Sequence, residues 1–493
     1  HPTPPEEEGL SWISAMSVTQ QPSNHSGTHR LLILLAVAIA ARVATFGNPV
    51  VHVDEEFYFF TGHAMWQGAW PFVDVWDRKP IGLFLLYALP AAFGFPAGIW
   101  AYQAMALVSV VATAWAIARL ADRLGWAGGA TAAGIAYILW LNLLGGQGGQ
   151  APVFYNLLMI GAAWAILESD RRRARSLGLV AMALVGITLQ IKYSAVFEGM
   201  VFGLWLLASE WRRSRSPVAL ILYGAALVAV SLVPTGLAAG VYAAIGQWDA
   251  FLYANFLSIF HRNPDPLGEL AGNLGQLALI LSPIVALAVL GLKRAERDRE
   301  RVFLAVWLGA AIIGVLLFRP WFDHYGLPIL LPACTAAAAM LGRQDWRRRY
   351  TPALLLTVAL AGQIVLLSLR HERGDASEFA ALTQAVGKGP GCLYVYSGST
   401  MLYVATQRCA LSRWIVPAHL SRAREAGATG VDQDTEITRI LSQHPAVVVM
   451  RPPYNGERPE AHARVLAAMA GGYRLTAKLP MGNETISVYK SAR

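Results

Sequence analysis

The sequence predicts a polytopic α-helical membrane protein of about 11 transmembrane helices, with interfacial helices in its first outer loop and a C-terminal extracytoplasmic α/β domain. Three observations predict it. Of the 493 residues, 55% are hydrophobic and only 14% charged, against about 25% charged in an ordinary soluble domain. Apolar runs of span length recur between residues 31 and 369, and a helix needs about 20 such residues to cross a bilayer. After Leu369 the long runs stop, and short ones alternate with charges. The net charge of +9 sits in clusters between the apolar runs, which is the pattern of cytoplasmic membrane loops rather than of a nucleic-acid surface. With three cysteines, no disulfide framework or zinc module is implied.

The chain divides into residues 1–30, 31–369 and 370–493. Residues 1–15 lack an initiator Met and read as an expression remnant before a start at Met16; the polar stretch up to residue 30 reads as disordered. Leu31–Phe46 is followed by further spans and not by a small-residue cleavage site, so it reads as a retained first span rather than a signal peptide. Further spans are expected at 98–119, 127–145, 152–168, 176–191, 193–210, 217–245, 271–292, 302–318, 326–342 and 350–369. Arg119 and Arg123, Arg171–Arg175, Arg212–Arg215, Lys293–Arg301 and Arg343–Arg349 fall in alternate loops. Cytoplasmic placement of these puts the N-terminus inside and residues 370–493 outside, in the inner membrane of a cell envelope. The same parity makes 80–96 and 57–70 re-entrant or interfacial helices.

In the C-terminal domain Cys392–Ser397, Ala446–Met450 and Thr485–Tyr489 read as buried strands, and Ala376–Val386, Thr435–Ser442 and Pro459–Ala470 as helices. Cys392 and Cys409 read either as a disulfide or as two buried thiols.

The chemistry-bearing residues gather in the outer loop 48–97: Asp54, Glu55, Glu56, Asp74, Asp77, Arg78 and Lys79. Asp54 has two readings. It caps a helix whose first turn carries Glu55 and Glu56, or it is a base beside a lipid phosphate held by Lys79. Lys192 lies at an outer turn on the same side, either joining that site or snorkelling beside Glu198. His324 and Tyr325 either line the pocket or anchor the interface.

Asp54-Glu55 after the first span, Tyr58, Gly68, Trp70-Pro71 and Lys79-Pro80 together resemble the glycosyltransferase C superfamily. The branch is that of protein O-mannosyltransferases and lipid A aminoarabinose transferases. The stretch Arg319–Pro332 is similar to that family's late outer loop and span. The resemblance implies a polyprenyl-phosphate sugar donor, a lipid, glycan or protein acceptor, and transfer at the extracytoplasmic face with inversion. It assigns catalysis to Asp54 and Glu55, with Asp54 as base, and substrate binding to Tyr58, Lys79, Lys192, Arg319, His324 and Tyr325. Where many members carry a further acid this chain has Gly149-Gln150-Ala151-Pro152, so the sequence indicates no metal site and no certain cofactor, although a divalent metal is compatible with the chemistry. The second function class is a transporter or flippase for a lipid-linked substrate. Polar chemistry collected at one face, rather than in broken helices at the midplane, counts against it.

Overall fold

The computed structural model describes residues 24–296 and 298–492. The expected remnant and most of the expected disordered terminus lie outside the described residues. Asn24–Arg30, assigned to that terminus from sequence, instead form the first turns of helix α1 (Asn24–Arg42). Two short helices occupy the loop after α1, α2 (Val53–Trp66) and α3 (Ile81–Ala91). At about 1.5 Å per residue, α3 is roughly 17 Å long and too short to cross a bilayer core of about 30 Å.

The bundle continues with α4 (Ala97–Arg123), α5 (Ala127–Leu141), α6 (Ala151–Arg172), α7 (Arg175–Leu189), α8 (Val196–Ser214) and α9 (Pro217–Ala244). After the short α10 (Trp248–Leu252) come α11 (Leu267–Arg294), α12 (Arg299–Leu317), α13 (Leu330–Leu341), α14 (Gln344–Arg347) and α15 (Tyr350–Arg373). Among the described residues nine helical runs, not eleven, are long and apolar enough to cross a membrane. The two expected spans outside that set are α7 and α8. The first has only 15 residues, and the second carries Glu198, Glu210, Arg212 and Arg213. Both nevertheless connect the same two ends of the bundle as their neighbours. Arg175 at the start of α7 pairs with Glu210 near the end of α8, while the turn between the two helices carries Lys192 to the opposite end.

The basic clusters meet at that first end. Arg30 pairs with Asp122, Arg123 with Glu168 and Glu300, Arg171 and Arg172 with Glu168, Arg213 with Glu210, and Arg299 with Asp170. Segregation of charge along the sequence thus becomes one ion-paired layer across six helices. Helices α5, α6 and α13 form the interior, where small residues let backbones approach. A Cβ at Gly129 would lie 2.0 Å from the Ala338 carbonyl oxygen. By contrast α9 and α15 turn Ile221, Leu222, Leu237, Leu356 and Ile364 outward, as helices facing lipid do.

The C-terminal segment carries α16 (Ala376–Val386), α17 (Met401–Thr406), α18 (Pro417–Ser421), α19 (Gln433–Ser442) and α20 (Pro459–Gly472) around one four-stranded sheet. Its strands are β1 (Leu393–Val395), β2 (Val447–Met450), β3 (Tyr473–Met481) and β4 (Glu484–Ser491), in the order β1-β2-β4-β3. β1 and β2 are parallel, and the β3–β4 hairpin adds antiparallel to β2. The sequence reading missed β3 because it is an edge strand whose exposed positions carry Arg474, Thr476, Lys478 and Pro480 beside a single exposed leucine, Leu475. Polar residues and proline are what edge strands tolerate and what a search for apolar runs passes over. Cys392 and Cys409 are disulfide-bonded, while Cys334 is buried and free.

Candidate active site

α2 begins after His52, whose extended backbone makes it the cap and whose Nδ1 accepts the Asp54 amide at 3.1 Å. Asp54 therefore does not cap this helix. It is the second helical residue, and its carboxylate is free to face outward from the first turn. Burial holds His52 neutral, lowering it to about 3, as an accepting ring nitrogen requires.

Successive residues turn about 100° around a helix, so the three acids of this turn enter three surroundings. Asp54 Oδ2 accepts from Gln150 Nε2 at 2.9 Å. Glu55 is buried against the loop Gly145–Gln150, and a Cβ at Gly148 would lie 2.2 Å from its Oε2. That loop is held from behind by Arg42, which donates to the carbonyl oxygens of Gly146 at 2.8 Å and Gly148 at 2.5 Å. Glu56 faces the C-terminal segment, where Ser399 Oγ donates to its Oε2 at 2.5 Å.

Lys79 reaches the same region from the far end of the loop. Its amide donates to Asp77 Oδ1 at 2.8 Å, and its Nζ lies 3.7 Å from that oxygen and 5.7 Å from the Tyr58 ring centroid. Asp77 is braced in turn by His419 Nε2 at 3.4 Å. Lys192 Nζ lies 4.6 Å over the Tyr325 ring, and Tyr325 packs edge-on against His324 at 4.9 Å. The His324 ring is 5.9 Å from that of His52, which closes the circle around Asp54.

Charge follows this geometry. Burial works to raise the Asp54 carboxyl, but the charge of Lys79 and the Gln150 hydrogen bond outweigh it and hold the group well below the usual carboxylate range. Burial works to lower Lys79, and Asp77 and Asp54 outweigh it in the other direction, so its pKa is raised. Lys192 is pushed down to about 8 by burial and by the like charge of Lys79. Burial lifts Glu55 to about 7 and Glu56 to about 8. Two ionised carboxylates, Asp54 and Asp77, thus stand with a firm cation, Lys79, and a weak one, Lys192, beside the rings of Tyr58 and Tyr325.

The structure brings together Asp54, Tyr58, Lys79, Lys192, His324 and Tyr325. Glu55 lies behind the helix. Arg319 is exposed with its guanidinium 5.5 Å from the Trp321 ring, and no hydrogen bond or ion pair joins it to the cluster among the described residues. The suggested Lys192–Glu198 pair does not form: Glu198 Oε1 instead accepts from the Trp307 indole at 2.6 Å. Sequence reasoning missed His52 and Gln150. Gln150 left a trace, as an amide where a family acid was expected, and that amide holds Asp54 by a hydrogen bond.

No protein-family model and no curated protein sequence matches this chain. Solved structures do. ArnT from Cupriavidus metallidurans bound to undecaprenyl phosphate is 14% identical with a TM-score of 0.62, covering 94% of this chain and 98% of that one. The same protein in the apo state aligns with a TM-score of 0.63 at 14% identity and the same coverage. The Archaeoglobus fulgidus oligosaccharyltransferase complex with zinc and sulfate is 12% identical over 85% of this chain and 67% of its own, at a TM-score of 0.48.

Proposed function

From the glycosyltransferase C fold that this multi-pass membrane protein shares with ArnT, we propose that it transfers a sugar from a polyprenyl-phosphate donor to a lipid, glycan or protein hydroxyl at the extracytoplasmic face. The observation that carries the reading is the convergence of Asp54 and Lys79 from opposite ends of one loop, under Lys192 and Tyr325 from two other segments. That the similar ArnT structure holds undecaprenyl phosphate supports a donor of this kind.

The residues divide the work. Lys79 binds the donor phosphate as a point charge, with Lys192 assisting, and the rings of Tyr58 and Tyr325 wall the space beside it. The acceptor oxygen attacks the anomeric carbon from the side opposite the phosphate. The carbon–oxygen bond to phosphate breaks, the bonding pair leaves with the polyprenyl phosphate, and the acceptor proton passes to Asp54. Configuration inverts.

A carboxylate with so depressed a pKa is a weak base in the free protein, and donor binding corrects this. Once Lys79 pairs with phosphate, its hold on Asp54 is shared and the carboxylate becomes more basic in the complex that needs it. Gln150 orients the carboxylate, and His52 holds the Asp54 amide and the Gln150 side chain in place.

The test is transfer by purified protein offered a panel of polyprenyl-phosphate sugars, together with Lys79→Ala and Lys79→Arg. Lys79→Ala should lose lipid-phosphate binding, and Lys79→Arg should keep part of it. Normal donor binding and turnover by Lys79→Ala would remove the donor assignment. Counterflow of the lipid-linked substrate in liposomes, with no transfer by any donor, would favour the transporter reading.

A further inference from the structure

Outside that cluster, Arg422, Arg424 and Arg451 crowd one another on the C-terminal segment. Arg451 follows β2 at the carboxyl end of the parallel β1–β2 pair, and its amide donates to Ser397 Oγ at 2.9 Å. Ligands of α/β sheets commonly settle outside the carboxyl ends of parallel strands. The Arg451 guanidinium lies 3.8 Å from the Tyr454 ring centroid and that of Arg422 lies 5.7 Å from it. The ring is fixed by a 2.5 Å hydrogen bond between its hydroxyl and Ser421 Oγ. Arg424 turns the other way, 5.3 Å from the Phe322 ring, which stacks on His324 of the candidate site. The three cations thus run from the rim of that site onto the sheet.

Their charge is incompletely matched. Arg451 has Glu484 at 3.2 Å, and Arg424 has Asp265 at 3.4 Å and Glu425 at 3.8 Å. The half-buried Arg422 forms no ion pair or side-chain hydrogen bond among the described residues. The Nε atoms of Arg424 and Arg451 are buried without a hydrogen-bond partner. Arg422 faces Arg424 and Arg451 as like charges, with Glu269 a weaker counter-charge. Such crowding is unfavourable unless an anion is shared between the cations, and the planar guanidinium fork suits phosphate or carboxylate.

We propose that Arg422, with Arg451 and Arg424, binds an anionic group of the acceptor, a phosphate or carboxylate, and so delivers the acceptor hydroxyl toward Asp54. The acceptor role rests on the glycosyltransferase reading; the anion site itself does not. The donor's phosphate is the other source of the same chemistry, and the experiment separates the two.

Full-length protein in phosphatidylcholine nanodiscs is saturated with undecaprenyl phosphate and titrated with inorganic pyrophosphate. The wild type should bind it, and Arg422→Gln and Arg422→Gln/Arg451→Gln should weaken it at least tenfold while lipid-phosphate affinity stays unchanged. Arg422→Lys, which keeps the charge and loses the fork, should fall between, and covers the case in which the Gln variants do not fold. Lys79→Ala should lose lipid phosphate and keep pyrophosphate. No pyrophosphate binding by the wild type, equal binding by the variants, or loss of lipid phosphate in Arg422→Gln would each overturn the proposal. Retained lipid phosphate in Lys79→Ala would instead remove the donor reading and leave the Arg422 site standing.

Discussion

At Asp54, replacement by Asn keeps the side-chain volume and removes the proton acceptor. Because His52 rather than Asp54 caps α2, a loss of activity cannot be charged to a lost cap. Asp54→Asn should fold, bind the lipid donor and lose about 10²–10⁴-fold in turnover. Full turnover by a well-folded variant would end the base assignment. Arg319→Ala serves as control and should leave donor binding unchanged, since its guanidinium meets Trp321 and not the cluster. Glu56 makes a different prediction. Burial raises its folded pKa from 4.5 to about 8, so the folded protein keeps this proton where the unfolded chain has lost it. That contribution to stability is complete below about 4.5 and is lost as pH rises through about 8. Glu56→Gln, neutral at every pH, should flatten the alkaline fall in thermal stability between those values. An unchanged profile would mean that Glu56 is ionised and solvated.

The element that does most to position the site is the loop Gly145–Gln150 rather than any span. Arg42 of α1 grips its carbonyls, Glu55 of α2 fills the space above Gly148, and its last residue holds Asp54. Gly148→Ala would place a methyl group 2.2 Å from Glu55 Oε2. A buried side chain that must move aside typically costs about 1–3 kcal/mol. The variant should melt earlier and lose turnover together, because the same displacement moves Gln150 from Asp54. A variant as stable and active as the wild type would show that the loop tolerates the methyl group. This loop reads from sequence only as a glycine-rich break between two spans. Its partners Arg42 and Glu55 lie about a hundred residues away, and no local pattern links them to it.

For the whole molecule, the ion-paired layer at one end and the candidate site at the other give the topology a direct test. Lys478→Cys on the exposed β3 strand should be labelled by a membrane-impermeant thiol reagent added outside intact cells, and Arg172→Cys should be protected; both positions are exposed in the structure. The reverse pattern would invert the proposed orientation. The Cys392–Cys409 bridge agrees with an oxidising location for this segment. With a sequence separation of 17, removing both cysteines should lower the stability of the segment by about 3 kcal/mol in the loop-entropy account, read as an earlier unfolding step.

Read alone, the sequence carried the membrane class, the order of nine of the eleven expected spans, the collection of basic loops at one end, and the gathering of Asp54 and Lys79 in one loop. It also marked three of the four strands. Those features depend on transfer free energies and helix signals that act over a few neighbouring residues, so they are readable in one dimension. Tertiary packing set the rest. It made His52 the cap and Gln150 the partner of Asp54, sent Glu55 and Glu56 away from the site, left Arg319 outside the cluster and brought Arg422 beside Arg451. Each of these depends on which side chains meet across tens to hundreds of residues. Such meetings follow from the closure of the whole bundle, and residue type and local spacing do not encode them.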